Sequence, residues 1–318
     1  MKSRYAELQA TSHFSFLRGA SSCEELFAQA ATLGIEALAI VDRNSLAGIV
    51  RTHEAAKTTG IRPVVGCRLD LVDGMSILVY PTDRAAYARL CRLRSLGKSR
   101  GGKAKCVLEG SDLVAYGEGL IVVLVPDEPD ETCARHLRRL RGACDNRAYM
   151  ALTLCRRPND QLRLHGLSNR ATQSGVATVV TNDVLFHVPG RRILQDVVTC
   201  IRHNVTIDDA GFRRERHADR YLKPPEEMAR LFSRYPEALA RTVEIADRCR
   251  FSLDELAYQY PEERMFPDLT PQQALEIRWP GHCLVIGRST RPLGPPDQVR
   301  SPKPGPPGIL GPQGFLAR

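Results

Sequence analysis

The sequence predicts an α/β fold, arranged as a distorted, closed or nearly closed parallel β/α barrel at residues 1–206. Short runs of β-branched and aliphatic residues alternate there with longer stretches of helical periodicity, which is the pattern of repeated βα units. Further along, the pattern is helical only and then gives way to a segment rich in proline and glycine. We therefore expect a small helical appendage at 207–279 and a disordered tail at 280–318.

The first two βα units carry clear start and stop signals. Ser22 is suited to cap a helix that has an acidic first turn and ends at Gly34, since helices favour such residues at these places. The apolar run at 37–41 then predicts a buried strand. Ser45 is predicted to start the second helix, and a strand is predicted at 62–67.

The remaining elements continue the alternation. Strands are predicted at 76–80, 120–125, 149–154 and 176–181, and helices at 83–96, 130–141, 158–174 and 190–202. In the appendage, helices are predicted to open at Pro224-Pro225 and at Pro236, because proline is favoured in the first turn. Together the units before the appendage best fit a barrel.

The formal charge of +9 suggests an anionic partner, since clustered Lys and Arg attract phosphate. Residues 280–318 hold five basic residues and one acid, which leaves 40 basic against 35 acidic residues before them. The body of the chain is therefore only mildly basic. No apolar run could span a bilayer, and no signal peptide is apparent, so we expect a cytoplasmic protein without membrane contact.

Cysteine and histidine patterns do not predict a local metal motif. The ten cysteines include no CxxC pair, and the eight histidines form no HxH, HxxxH or HExxH. Reduced, mostly buried thiols are the favoured interpretation. Any metal site would have to be assembled by the fold from distant residues.

One run of basic residues contains three glycines and no acid, which predicts a mobile basic loop that leaves a helix. Its members are Arg92, Arg94, Lys98, Arg100, Lys103 and Lys105. Such a loop could contact a DNA backbone. A solvated loop is favoured over that role, because no aromatic residue is interleaved for stacking on bases. A second set, Arg135, Arg138, Arg139 and Arg141, is predicted to be the solvated face of one helix.

Several segments resemble a known family. Residues 7–21, ELQATSHFSFLRGAS, followed by a helix and ALAIVD at 37–42, resemble the opening of the polymerase-and-histidinol-phosphatase (PHP) domain in bacterial DNA polymerase III alpha-type subunits. TNDVLFHVP at 181–189, LQDVVTCIR at 194–202 and YLKPPEEM at 221–228 resemble the error-prone branch of these polymerases. The resemblance covers about residues 4–279.

This resemblance implies a PHP-type barrel that forms the N-terminal portion of an error-prone, translesion DNA polymerase. It implies a chain that is cut before the polymerase domains and is inactive as a polymerase, with a tail that reads as a frameshift or premature end. No cofactor is expected in the chain, since magnesium belongs to the polymerase domain. DNA and polymerase-accessory proteins are the partners implied for the full-length family, and the chain is expected to be monomeric.

The resemblance also implies a degraded metal site. Active PHP phosphoesterases use histidines and carboxylates at the barrel mouth to hold metals that activate water. The matched positions here are Gln9, Thr11, Asp42, Arg43, Arg68, Asp183 and Leu185. Two carboxylates remain among them, every matched histidine is replaced, and two positions are cationic. We therefore expect neither a metal ion nor a catalytic residue at the mouth.

Two interpretations of the cations stay open. Arg43 and Arg68 are expected to neutralise Asp42 and Asp183 through ion pairs, because a guanidinium fork matches a carboxylate. Alternatively, the arginines retain a weak site for an anion or a DNA backbone. His13 is predicted to be a polar rim residue and His53 a surface or packing residue. His187 falls one turn past a predicted strand end, and a structural role and a ligand role both stay open for it.

Two other functions compete with the polymerase assignment. One is a metal-dependent phosphoesterase or 3′-exonuclease of the PHP class, which requires unexpected ligands to meet in the fold. The other is a free-standing nucleic-acid-binding module, which requires the basic run and the arginine-rich helix to share one face.

Overall fold

The computed structural model of the chain describes residues 4–214, 217–256 and 273. The strands are β1 (Ala6–Ala10), β2 (Ala37–Ile40), β3 (Arg62–Val65), β4 (Cys67–Asp70), β5 (Ser76–Pro81), β6 (Leu120–Leu124), β7 (Ala148–Leu152) and β8 (Ala177–Val180). The helices are α1 (Cys23–Leu33), α2 (Ile49–Thr59), α3 (Arg84–Gly101), α4 (Gly110–Tyr116), α5 (Glu131–Cys144), α6 (Asp160–Gln173), α7 (Arg192–His203), α8 (Pro225–Leu231) and α9 (Pro236–Arg248). They all belong to one compact unit, Met1–Ala257.

The strands form two sheets that meet in a distorted barrel. One sheet is parallel and has the order β1-β2-β3, and the other has the order β4-β5-β6-β7-β8. Bridges between Ala10 and Val184 and between Arg43 and Arg68 join the two sheets. The predicted α/β fold with parallel strands and helices is confirmed.

The barrel is not parallel throughout, which corrects the prediction. β5 runs antiparallel to both of its neighbours, β4 and β6. The single strand predicted at 62–67 is divided at Gly66 into β3 and β4. A Cβ atom on Gly66 would lie 2.7 Å from the ring of Tyr80 and 2.9 Å from Val41, so the backbone there passes too close to these side chains for a larger residue. The break lets β4 pair with β5 instead of continuing β3.

Helix starts and stops agree with the sequence signals in most units. Ser22 and Glu25 form a reciprocal capping box at α1, and Gly34 ends that helix with φ 72°, as the sequence predicts. The start of α2 is different. Ser45 accepts a hydrogen bond from the nitrogen of Ala47 at 3.2 Å and so caps a local turn, while the helix begins only at Ile49.

Most of the predicted mobile basic loop is helical, so the prediction of a loop is wrong for these residues. Arg92, Arg94, Lys98 and Arg100 lie on α3, and only Lys103 and Lys105 follow it. Gly97 accounts for the error, because a Cβ atom there would lie 2.6 Å from Cys106 Sγ and 2.8 Å from Leu108. That glycine permits close packing of the following segment on α3, whereas the sequence suggested that it loosened the chain.

The helices after residue 206 are integral to the barrel packing. On α9, the buried Val243, Ile245 and Ala246 join the core formed by the strand residues of the barrel interior. Thr242 Oγ1 of the same helix accepts a hydrogen bond from the nitrogen of Ala6 in β1 at 3.2 Å. The boundary predicted at 206 therefore does not coincide with a gap in packing. The tail predicted at 280–318 lies outside the described residues.

None of the helices in the described ranges is both long enough and apolar enough to cross a membrane. The arginines predicted as the solvated face of one helix are exposed along α5.

Candidate functional site

Charged residues from β4 and from the segments after β2, after β8 and before α8 meet at the barrel mouth in one ion-pair network. Arg43 pairs closely with Asp70. Arg68 lies between two carboxylates, with Nε 3.5 Å from Asp70 Oδ1 and Nη1 3.7 Å from Asp183 Oδ1. Arg220 pairs closely with Asp183 and donates from Nε to its backbone oxygen at 2.9 Å. We call these five residues the mouth cluster.

The mouth cluster bears out one predicted ion pair and corrects the other. Arg68 reaches Asp183 as expected. Arg43 does not pair with Asp42, because Asp70, two residues beyond Arg68 on β4, supplies its carboxylate. Ser76 completes that arrangement by accepting from Arg68 Nε at 2.9 Å and donating to Asp70 Oδ1 at 2.6 Å.

The cluster keeps its carboxylates ionised. Burial opposes the charge on Asp183, yet the guanidinium groups of Arg220 and Arg68 outweigh it and hold the pKa of that carboxyl below its usual value. Burial likewise opposes the charge on Asp70. The hydrogen bond from Ser76 and the positive charges of Arg43 and Arg68 outweigh burial and lower the pKa of this carboxyl. With three guanidinium groups and two carboxylates, the cluster carries a formal charge of one positive unit.

Asp42 lies in a separate cradle of serines. Its Oδ1 accepts from Ser12 N at 3.0 Å and from Ser15 Oγ at 2.6 Å, and its Oδ2 accepts from Ser12 Oγ at 2.8 Å. Burial raises the pKa of this carboxyl, although the serine hydrogen bonds oppose the shift. A carboxylate whose oxygens already have these donors has a structural role in joining the mouth loops.

The remaining matched positions offer little to a cation. Leu185 is buried against Ala20 and Phe186, and Thr11 is buried as well. Gln9 is fully buried, and its side-chain amide has no hydrogen-bond partner in the described part of the chain. Across the described residues, no three His, Cys, Asp or Glu side chains lie together as a group that could hold a metal.

The three histidines considered in the sequence lie outside the mouth cluster. His13 is exposed, stacks on Phe14 at 4.6 Å and approaches Ser21 O at 3.3 Å, a position consistent with a rim residue. His53 contacts Asp254 at 3.2 Å on the surface. His187 Nδ1 lies 2.8 Å from Ser21 Oγ, and burial lowers the pKa of its imidazole.

A cleft of about 780 Å³ opens beside the mouth cluster. Arg68 and Arg220 are joined on its walls by five further arginines, which are Arg156, Arg157, Arg163, Arg213 and Arg214. Five acidic residues also line it, so its walls carry a formal excess of two positive charges. The residues of the predicted basic run are not part of its lining.

Sequence reasoning missed several residues of this site. Asp70 could have been found, because it alternates with Arg68 on one strand and thus shares its face. Arg220 directly precedes the YLKPPEEM segment, so its neighbourhood was recognised without its role. Arg156, Arg157 and Arg163 gave no signal, since their convergence depends on the conformation of the loop after β7.

Comparison with known proteins shows which protein family the chain is similar to. Residues 7–146 match the PHP domain family. The chain is 73% identical over 297 residues to Error-prone DNA polymerase 1 of Agrobacterium fabrum, with 93% of this chain and 27% of that polymerase covered. It is 68% identical over 279 residues to Error-prone DNA polymerase 2 of Rhizobium meliloti, with 87% and 26% covered. The corresponding values for the Error-prone DNA polymerase of Caulobacter vibrioides are 48% over 280 residues, with 87% and 26% covered.

Together the barrel and the family match define a chain that carries a PHP domain. Over most of its length the chain is similar to bacterial error-prone DNA polymerases, and it spans about a quarter of the length of these relatives. An amidohydrolase structure from Chromobacterium violaceum aligns with 57% of this chain and 87% of its own at 16% identity and a TM-score of 0.42. So loose a likeness carries no argument.

Proposed function

We propose that the chain is a non-catalytic PHP domain that acts as a structural part of an error-prone polymerase in damage tolerance and translesion synthesis in the cytoplasm. In this proposal the barrel mouth hydrolyses no phosphate ester, and DNA and polymerase-accessory proteins are partners of the longer polymerase. The whole polymerase activity, with its magnesium, belongs to the longer relatives.

The mouth cluster is the observation that carries this proposal. Metal-assisted hydrolysis needs imidazole or carboxylate ligands that leave an open position for water. Here the carboxylates of Asp70 and Asp183 already form ion pairs with Arg43, Arg68 and Arg220. The guanidinium groups supply the positive charge that a metal would supply, but they cannot generate a bound hydroxide. Ion pairing thus favours a stable mouth without hydrolysis.

The proposal is tested by hydrolysis assays on the purified chain. A phosphate monoester and a 3′-labelled oligonucleotide are incubated with the chain in the presence of manganese or zinc. We expect no hydrolysis above that of Asp183→Asn, which removes a matched carboxylate.

Asp247→Asn serves as the matched control, because Asp247 is 56% exposed and pairs with Arg62 on the surface. Hydrolysis that depends on the added metal, persists in Asp247→Asn and disappears in Asp183→Asn would establish the competing phosphoesterase function. A low rate that is equal in all three proteins would point to a contaminating enzyme and leave the proposal standing.

A further inference from the structure

We infer that the cleft beside the mouth cluster binds a phosphate-bearing ligand of nucleotide size without a metal ion. The inference rests on the proposed function, because it takes the mouth to be held together by ion pairs. The volume of the cleft, about 780 Å³, is within the range of sites that enclose small ligands. We call it the arginine cleft, after Arg156, Arg157 and Arg163, which contribute to its lining from the β7–α6 loop and the first turn of α6.

Arg163 is the strongest indication of a ligand. Its side chain is only 5% exposed, and Nη2 donates to Thr153 O at 3.1 Å and contacts Cys155 Sγ at 3.0 Å. Nε and Nη1 have no hydrogen-bond partner among the described residues, and the nearest carboxylate oxygen, Asp160 Oδ1, lies 3.6 Å from Nε. Buried donors are costly when they are left without an acceptor. Arg163 lines the cleft, so a phosphate bound there would supply an acceptor once the guanidinium group turns towards it.

The loop that carries the neighbouring arginines is fixed by Asp160. Asp160 Oδ2 accepts hydrogen bonds from the nitrogens of Cys155 and Arg156 at 2.6 and 2.7 Å. Arg156 adopts φ 54°, a left-handed conformation that is uncommon for a residue with a side chain. The surrounding structure thus holds an unfavourable backbone conformation that brings Arg156 and Arg157 to the lining of the cleft.

The present partners of these two arginines can be exchanged for a phosphate. Arg157 pairs with Asp127 and Glu128, which are 78% and 52% exposed, and exposed ion pairs of this kind contribute little stability. Arg156 Nε lies 2.6 Å from Asp219 Oδ2, and its terminal nitrogens form no hydrogen bond within the described part of the chain. A phosphate offers several oxygens at once, and the guanidinium fork binds such groups in pairs of hydrogen bonds.

The helices after β6 and β7 add a favourable field. Thr132 in the first turn of α5 and Pro158, two residues before α6 begins, line the cleft. Each of these helices has 14 residues, and the N-terminal end of a helix favours an anion. Charge, open donors and helix orientation therefore all select the same chemical class, a phosphate-bearing anion.

Calorimetric titration of the full 318-residue chain in the presence of a chelator tests this inference. The probes are inorganic pyrophosphate, deoxyadenosine triphosphate and a 5′-phosphorylated single-stranded oligonucleotide. We expect one saturable site that weakens as salt is added. Arg156→Gln and Arg163→Gln are each expected to weaken binding by about tenfold or more. Arg163→Lys keeps the charge at the buried position. If this variant folds but binds weakly, the loss is one of recognition by the guanidinium group and not of folding.

Arg138→Gln is the matched control, since Arg138 is 65% exposed on α5 and does not line the cleft. Equal loss of binding in this control, or no saturable binding of any probe, would overturn the inference while leaving the ion-paired mouth intact. Tighter binding of the triphosphate would identify a free nucleotide as the ligand, and tighter binding of the oligonucleotide would identify a DNA strand. Binding that appears only after manganese is added would instead contradict the proposed function.

Discussion

A chain that ends after residue 206 is expected to lose cooperative folding. It would lack α8 and α9, and α9 covers β1 and β8 with the buried Val243, Ile245 and Ala246. Removing that helix exposes the apolar interior of the barrel to water, and burial of such residues is the main source of folding free energy. Urea unfolding followed by circular dichroism would show a broad, non-cooperative change.

Single substitutions provide the matched comparison. Ile245→Ala, at a fully buried position, is expected to lower the free energy of unfolding by about 2–5 kcal/mol. Ile193→Ala makes the same chemical change at a position that is 76% exposed, and surface changes usually alter stability by about 0.5 kcal/mol or less. A cooperative transition of the 206-residue chain, or equal effects of the two substitutions, would show that α9 is a separate appendage.

Asp183→Ala is expected to destabilise the chain by about 3 kcal/mol, because it leaves the half-buried Arg68 and Arg220 beside each other without their shared carboxylate. The control is Asp247→Ala on the surface, where loss of an exposed pair should cost about 1 kcal/mol or less. Both are measured by urea unfolding at neutral pH. Equal effects would mean that the mouth cluster does not stabilise the fold.

Acid should diminish the difference between the unsubstituted chain and Asp183→Asn. The pKa of Asp183 is held below its usual value in the folded chain by Arg220 and Arg68, against the effect of burial, so its stabilising contribution is complete above the unfolded pKa of about 4. It is lost as the pH falls through the lower, folded value. A gap in stability that widens on acidification would contradict this sign.

Much of the fold followed from local signals in the sequence. The helix that begins after Ser22 and ends at Gly34 was predictable because capping and left-handed termination depend on neighbouring residues. Gly66 and Gly97 were not interpretable in this way. Each is needed for close contact with a residue outside its own strand or helix, so the division of a strand and the continuation of a helix could not be inferred from the pattern.

At the candidate site, the sequence indicated the kind of contact better than the partners. Gln9, Thr11 and Leu185 at the matched positions predict a site without metal ligands, and this stays a prediction. The choice of Asp70 over Asp42 as partner of Arg43 depends on which loop supplies competing hydrogen bonds. Serines surround Asp42, and that arrangement exists only after the first and second βα loops have met.

We propose that arginine–aspartate ion pairs take the place of a metal centre at the barrel mouth. A divalent ion near Arg43 or Arg68 would be repelled by at least about 1 kcal/mol for each guanidinium group at an effective dielectric constant of about 20. The carboxylates that could offset this repulsion are already paired with arginine or bonded to serine. Few ligands therefore remain to bind the ion.

Calorimetric titration of the metal-stripped chain with zinc and with manganese tests this claim most directly. We predict no stoichiometric binding at micromolar affinity, and the same flat titration for Asp183→Ala. Stoichiometric micromolar binding that is lost in Asp42→Ala or Asp183→Ala, while Asp247→Ala still binds, would contradict the claim and show that the mouth is a metal centre.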